Sequence, residues 1–153
     1  MFGLTPDQVF EYANMAVLPF WLLLAIAPRW SGTNILVHSI AIPVLLGLIY
    51  LWYFANGAFF GPNVPKDAAF GTLEGVMVFF TQKEAVVAGW VHYLVFDLFV
   101  GAWIARDAVR REINQWLVAP ILFFTLMLGP IGLLMYVALR GAMRGTLTLN
   151  EVK

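Results

Sequence analysis

Hydrophobic positions gather into four long runs, residues 10–27, 35–55, 85–105 and 116–139. Each approaches the roughly 20 apolar residues that a helix needs to cross the hydrocarbon of a bilayer. The polar breaks between them carry start and stop signals. Thr5-Pro6-Asp7-Gln8 offers a capping hydroxyl, a proline at the first helical position and a glutamine three residues after the cap, with Leu4 and Val9 placed as a staple. Pro28, Arg29 and Trp30 close the first run, and Ser31-Gly32-Thr33-Asn34 opens the second, which stops at Asn56-Gly57. A loop follows at Gly61-Pro62-Asn63-Val64-Pro65. Asp67 then caps a short apolar stretch, residues 68–80 with Glu74 inside, which is too short to span and reads as an interfacial or re-entrant helix. Thr81-Gln82-Lys83-Glu84 forms a second capping box ahead of the third run. Beyond that run, Arg106-Asp107-Ala108-Val109-Arg110-Arg111-Glu112 is expected to carry the helix into water.

The pattern predicts an all-α, single-domain, integral membrane four-helix bundle over residues 1–153, with a short interfacial helix between spans two and three. Pro19, Pro43 and the Gly129-Pro130 pair lie inside runs and predict kinked helices around a pocket. Four crossings place both termini on one side. The basic residues then divide as Lys66, Lys83, Arg140, Arg144 and Lys153 against Arg29, Arg106, Arg110 and Arg111, too even a split to set an orientation.

Composition narrows the chemistry. The chain is 61% hydrophobic and 12% charged, against about a quarter charged in soluble domains, and its mean hydropathy is +0.82. Nine basic residues balance nine acidic ones, so no nucleic-acid face is expected. The absence of cysteine excludes disulfides and thiolate metal sites, and two histidines are too few for a histidine-rich di-iron box. The first run begins without the basic segment and cleavage site of a signal peptide.

Ionisable groups inside an apolar run are costly to insert and mark function by default. Here they are Glu11, His38, His92 and Asp97, with Asn14 as a neutral companion. At about 1.5 Å per residue, Glu11, Asn14 and His92 fall near one level beside Gly129-Pro130, and Asp97 and His38 near another. His38 and His92 then differ in depth by roughly 13 Å, which argues against bis-histidine haem or any metal site. His92 and Asp97 are five residues apart and point about 140° from each other. His92 shares its face with Phe96, Phe99 and Trp103, and Asp97 with Trp90, Tyr93 and Gly101. Trp21, Trp30, Trp52 and Trp116 read as interfacial anchors. Phe79-Phe80, Phe96, Phe99, Trp103 and Phe123-Phe124 read either as lipid-facing packing or as the lining for a long isoprenoid ligand.

Trp90-Val91-His92-Tyr93-Leu94-Val95-Phe96-Asp97-Leu98-Phe99 resembles the W-x-H-x-L-x-x-D-L-F signature of the abscisic-acid-deficient, neoxanthin-synthase-like membrane proteins. Ala16-Val17-Leu18-Pro19-Phe20 with Ala27-Pro28, and Leu128-Gly129-Pro130-Ile131-Gly132, resemble that family's first and last spans. The resemblance implies a four-span protein acting on or binding a carotenoid or xanthophyll, linked in plants to the conversion of violaxanthin to neoxanthin. Plant members carry a plastid transit extension, so this chain is expected to be a prokaryotic member of an inner membrane. Opening a 5,6-epoxide to an allene needs a general acid at oxygen and a base for the allylic proton, and no cofactor. Asp97 and His92 are the expected acid and base, in either order, with Glu11, Asn14, His38, Trp90, Tyr93, Phe96 and Trp103 lining the ligand. The alternatives are a non-catalytic carotenoid-binding or assembly protein and a small transporter. The pattern sets no oligomeric state.

Overall fold

The computed structural model describes residues 3–39, 41–62, 64–145 and 147–148. Among them are seven α-helices, one π-helical turn and no strand: α1 (Pro6–Ile26), α2 (Ser31–Leu36), α3 (Ala41–Ala55), the π turn (Asn56–Phe60), α4 (Leu73–Phe79), α5 (Lys83–Arg110), α6 (Gln115–Leu128) and α7 (Pro130–Arg144). Three segments are long and apolar enough to cross a membrane: α1, the stretch Ser31–Phe60, and α5. The chain groups into two compact units, Met1–Met15 with Pro43–Val95, and Ala16–Ile42 with Phe96–Lys153, so α1 and α5 contribute to both.

The start of α1 forms as its sequence requires. Thr5 N–H donates to Gln8 Oε1 at 2.9 Å and Gln8 N–H to Thr5 Oγ1 at 3.3 Å, the reciprocal capping box. Val9, Ala13, Val17, Trp21 and Leu24 recur at three- and four-residue spacing and are all buried. Trp21 is therefore core, not an interfacial anchor; its ring lies over Gly101, where a Cβ would approach within 2.5 Å of it. Trp30, Trp52 and Trp116 are exposed.

The second run is interrupted. Helix α2 ends at Leu36, and α3 starts at Ala41 with Pro43 in its first turn. A proline there needs no hydrogen-bond acceptor, but its ring clashes with a helical carbonyl four residues earlier, at Ser39, so the helix breaks before it. The expected stop at Asn56-Gly57 is instead a π turn that continues to Phe60, where Asn56 Nδ2 donates to Trp52 O at 2.8 Å. Gly57 is buried there, and a Cβ would lie 3.0 Å from Ala85 N.

The interfacial stretch is shorter than expected. Helix α4 covers only Leu73–Phe79 and is capped by Thr72, which accepts from Gly75 N–H at 3.1 Å, rather than by Asp67. The Thr81 hydroxyl donates to Val78 O at 2.7 Å and so closes α4, while α5 begins two residues later.

The largest departure lies in the fourth run. It is two helices, meeting at Gly129, whose backbone takes φ 36° and ψ −89°. Gly129 N–H closes α6 on Thr125 O, and Pro130 occupies the first position of α7, where its missing donor costs nothing. The pair reverses the chain instead of kinking it: a Cβ on Gly132 would lie 2.5 Å from Thr125 Cα, a distance only a folded-back helix can give residues seven apart. Gln115 Nε2, at the start of α6, donates to Leu24 O and Ala25 O and satisfies carbonyls left open at the end of α1. Helix α7 then returns alongside α5, with Gly129 against Asp97, Tyr136 bonded to Asp107 and Arg144 donating to Glu112 O.

Candidate functional site

The first unit carries a continuous run of aromatic rings. Tyr50 and Phe54, one turn apart on α3, stack at 5.5 Å between centroids. Phe54 contacts Phe59 of the π turn at 5.6 Å, Phe70 of the loop at 5.9 Å and Phe79 of α4 at 6.2 Å. Phe70 and Phe79 lie 5.0 Å apart, and Phe79 leads to Phe80 at 5.4 Å. Phe79 is buried beneath while Phe59, Phe70 and Phe80 are exposed, so the cluster presents a ring-lined surface. At its other end Tyr50 meets His92, ring to ring at 5.6 Å. His92 is itself exposed on α5.

Asn14 and Trp90 are joined in the same unit. Trp90 Nε1–H donates to Asn14 Oδ1 at 2.9 Å, and Asn14 Nδ2 donates back along α1 to Phe10 O at 2.8 Å. Phe10 and Tyr93 flank the indole at 5.0 and 5.4 Å. These contacts tie α1 to α5 and account for a polar amide inside an apolar run. Glu11 is exposed, beside a groove of about 300 Å³ that Asp7, Phe10 and Lys83 also line. Lys83 Nζ and Asp7 form an exposed ion pair at 2.8 Å.

Asp97 belongs to the second unit and is buried. Its carboxylate lies against Gly129, at the N-terminus of α7, where unpaired N–H groups and the helix dipole favour a negative charge. That environment gives a mid-helix carboxylate a structural reason to exist. Phe96 and Phe99 are exposed on the other side of α5. His38 does not reach Asp97. It sits beside Arg106, with its Nδ1 3.1 Å from the guanidinium, nine residues further along α5. His38 and Asp97, expected near one level, are therefore separate places.

A fourth place was hidden from the sequence. Asp107 is 2% exposed, and the segment expected to enter water is packed at this point. Its carboxylate accepts from Tyr136 Oη–H at 2.6 Å and from Arg111 Nε at 2.9 Å, and pairs with Arg140 Nε at 3.2 Å. Arg140, 1% exposed, lies 5.8 Å over the Trp103 ring and also donates to Thr148 O, while Tyr136 meets Trp103 edge-on at 5.5 Å. Trp103 is thus part of this network. The signal available was the four-residue spacing of Gly132, Tyr136 and Arg140, which places a cation and a phenol on one stripe of α7.

A family model described as ABA DEFICIENT 4-like matches residues 8–136. Among curated proteins, the chain is 24% identical over 120 residues to Protein ABA DEFICIENT 4, chloroplastic, of Arabidopsis thaliana, an alignment covering 71% of this chain and 50% of that protein. The chain thus matches half the length of this curated relative. No solved structure matches. With its W-x-H-x-L-x-x-D-L-F segment on α5 and its Gly-Pro reversal both inside the matched residues, the chain belongs to the ABA DEFICIENT 4-like family.

Proposed function

We propose that this protein is an integral membrane protein that binds a carotenoid-type isoprenoid on the aromatic surface of its first unit. The observation that carries the reading is the run of rings from Phe80 through Phe79, Phe70 and Phe54 to Tyr50, ending at His92. A conjugated polyene is long, flat and apolar, and offset or edge-on aromatic contacts reward such a shape. A polar ring end-group would meet the imidazole of His92. The family relationship supports this class of ligand, since the resemblance links the family to xanthophyll conversion.

In the membrane, we assign three crossings to α1, Ser31–Phe60 and α5, and a hairpin of α6 and α7 that enters and leaves on one side. Arg140 and Arg144 then join Arg29, Arg106, Arg110 and Arg111 at the far end of α5, and an excess of arginine marks the cytoplasmic side. An inner membrane is the expected location.

A second reading is favoured by the exposure of His92 beside Tyr50: the bound xanthophyll is isomerised without a cofactor. His92 takes the vinylic proton from the carbon next to the epoxide, the carbon–oxygen bond at the adjoining epoxide carbon breaks as the allene forms, and the released oxygen receives a proton, with no change in oxidation state. Acid and base must meet adjacent atoms of one end-group, and Asp97 points about 140° away from His92. We therefore assign the proton donor to the Tyr50 hydroxyl in place of Asp97.

The test is to purify the full chain from carotenoid-producing cells and record bound pigment by absorbance. Binding predicts loss of pigment from Phe54→Ala and Phe70→Ala but retention in His92→Gln. Catalysis predicts an altered pigment profile in cells carrying His92→Gln or Tyr50→Phe. Retained pigment in both phenylalanine variants would refute the aromatic surface as the binding site.

A further inference from the structure

The first unit holds a cavity of about 210 Å³ where the π turn meets the start of α5. The close approach follows from Gly57, whose missing side chain lets the turn pack on Ala85; a Cβ there would lie 3.0 Å from Ala85 N. Trp52, Tyr53, Asn56, Gln82 and Glu84 line the space. Its amides and carboxylate offer acceptors. Asn56 Nδ2 donates to Trp52 O at 2.8 Å, which leaves Oδ1 to accept. Gln82 Nε2 donates to Thr81 Oγ1 at 3.3 Å, and the Thr81 hydroxyl proton goes to Val78 O, so Gln82 likewise keeps Oε1 as an acceptor. With Thr81 closing α4, Glu84, expected to share a capping box with it, is half-buried and has no hydrogen-bond or ion-pair partner among the described residues. Tyr53 is 3% exposed, lies within electrostatic reach of Glu84 and also has no hydrogen-bond partner among the described residues. A buried phenol left in that state is costly. No cation stands among the described lining residues, and Lys83, next to Glu84, pairs with Asp7 instead.

We infer that this cavity binds a primary ammonium group. One carboxylate, two amide oxygens and a phenol oxygen together suit a cation that donates hydrogen bonds, and a primary ammonium donates three. The Trp52 ring in the wall adds an aromatic surface that attracts an organic cation. Helices α1 and α5 both begin beside the cavity, and the exposed Trp52 and the exposed Asp7–Lys83 ion pair place that end at headgroup level. The ethanolamine headgroup of a phospholipid is the source this setting favours; a soluble amine offers the same chemistry. The cavity shares no lining residue with the run of rings from Phe80 to His92 and is independent of pigment binding there.

The test uses the purified full chain in neutral-detergent micelles doped with phosphatidylethanolamine, its N-methyl and N,N-dimethyl forms, or phosphatidylcholine, with retained lipid counted by native mass spectrometry. A parallel arm titrates ethanolamine calorimetrically. In the wild type, retention should fall with each added methyl group, because each replaces an N–H donor; this arm needs no variant. Glu84→Gln keeps the shape and removes the charge, and Tyr53→Phe keeps the ring and removes the hydroxyl. A hydrogen bond to a charged group contributes about tenfold or more to binding, so each variant should lose at least about tenfold in retention of phosphatidylethanolamine. Asp7→Asn, outside the cavity at the same end of α1, is the charge control. Retention of phosphatidylethanolamine that ethanolamine does not displace, lost in Glu84→Gln and Tyr53→Phe alone, assigns the site to lipid. Saturable ethanolamine binding with the same dependence, and no lipid preference, assigns it to a soluble amine. Wild-type protein binding neither, lipid retention that methylation leaves unchanged, variants that match wild type, or an equal loss in Asp7→Asn would overturn the inference.

Discussion

The carboxylate of Asp97 occupies the space that a side chain on Gly129 would need: a Cβ there would fall 2.5 Å from Asp97 Oδ1 and 3.1 Å from its Cγ. Two features that look separate in the sequence, an aspartate in the middle of an apolar helix and a Gly-Pro pair in the next run, are one junction in the fold. The glycine is required twice, by its positive φ and by the carboxylate beside it.

Gly129→Ala should therefore destabilise the protein by about 2–4 kcal/mol, combining backbone strain with overpacking. Unfolding in detergent measures it. The double variant with Asp97→Ala should recover the overpacking part and leave the strain, so a double-mutant cycle should be clearly non-additive. Strict additivity would separate the two residues.

Asp107 tests the network that fastens α7 to α5. Asp107→Asn removes the charge that pairs with the buried Arg140 in a packed setting, and a loss of about 3–5 kcal/mol is expected. Tyr136→Phe removes one hydrogen bond and should cost about 1–3 kcal/mol. Equal effects of the two, measured by the same unfolding, would mean that the ion pairs contribute nothing.

How legible this was depended on the range of the interaction. The capping box at Thr5 and Gln8 is a local pattern of four residues, and it forms. Asn14 and His92 were placed near one level by counting rise, and Asn14 indeed bonds Trp90, two residues from His92. The Gly129 reversal was not legible, because a glycine before a proline reads equally as a kink and as a turn until Thr125 and Gly132 are seen in contact. Depth counted through a straight fourth span separates Arg140 from Asp107, which the structure pairs at 3.2 Å, and so leaves Asp107 reading as a solvated charge. Tyr50 was overlooked because one tyrosine in an apolar run carries no signal until a histidine from another helix stands beside it.

The reversal has a direct consequence for topology. In the topology proposed above, three crossings and a hairpin would put the N-terminus and the end of α7 on opposite sides. Reporter fusions at the two ends should give opposite signals, and a reporter active only in the cytoplasm should work at the C-terminus. Like signals from both ends would restore a fourth crossing through residues 116–139.

The signature residues His92 and Asp97 should separate when stability and ligand handling are measured on the same samples. Asp97 is buried at the start of α7, whereas His92 is exposed next to Tyr50 at the end of the aromatic run. Asp97→Asn keeps the shape but removes the charge that complements the helix N-terminus, an interaction of about 0.3–1 kcal/mol when exposed and up to about 2 when partly buried. It should lower the unfolding midpoint, with pigment binding reduced only in proportion to the folded fraction. His92→Gln changes an exposed position, where substitutions usually stay within about 0.5 kcal/mol. Its midpoint should hold and pigment should stay bound, while the converted xanthophyll changes. Both quantities can be read from one detergent-purified preparation, by thermal unfolding and by pigment absorbance. If Asp97→Asn left stability intact and abolished pigment conversion, the carboxylate would be a proton carrier, and the assignment of Tyr50 as donor would fall.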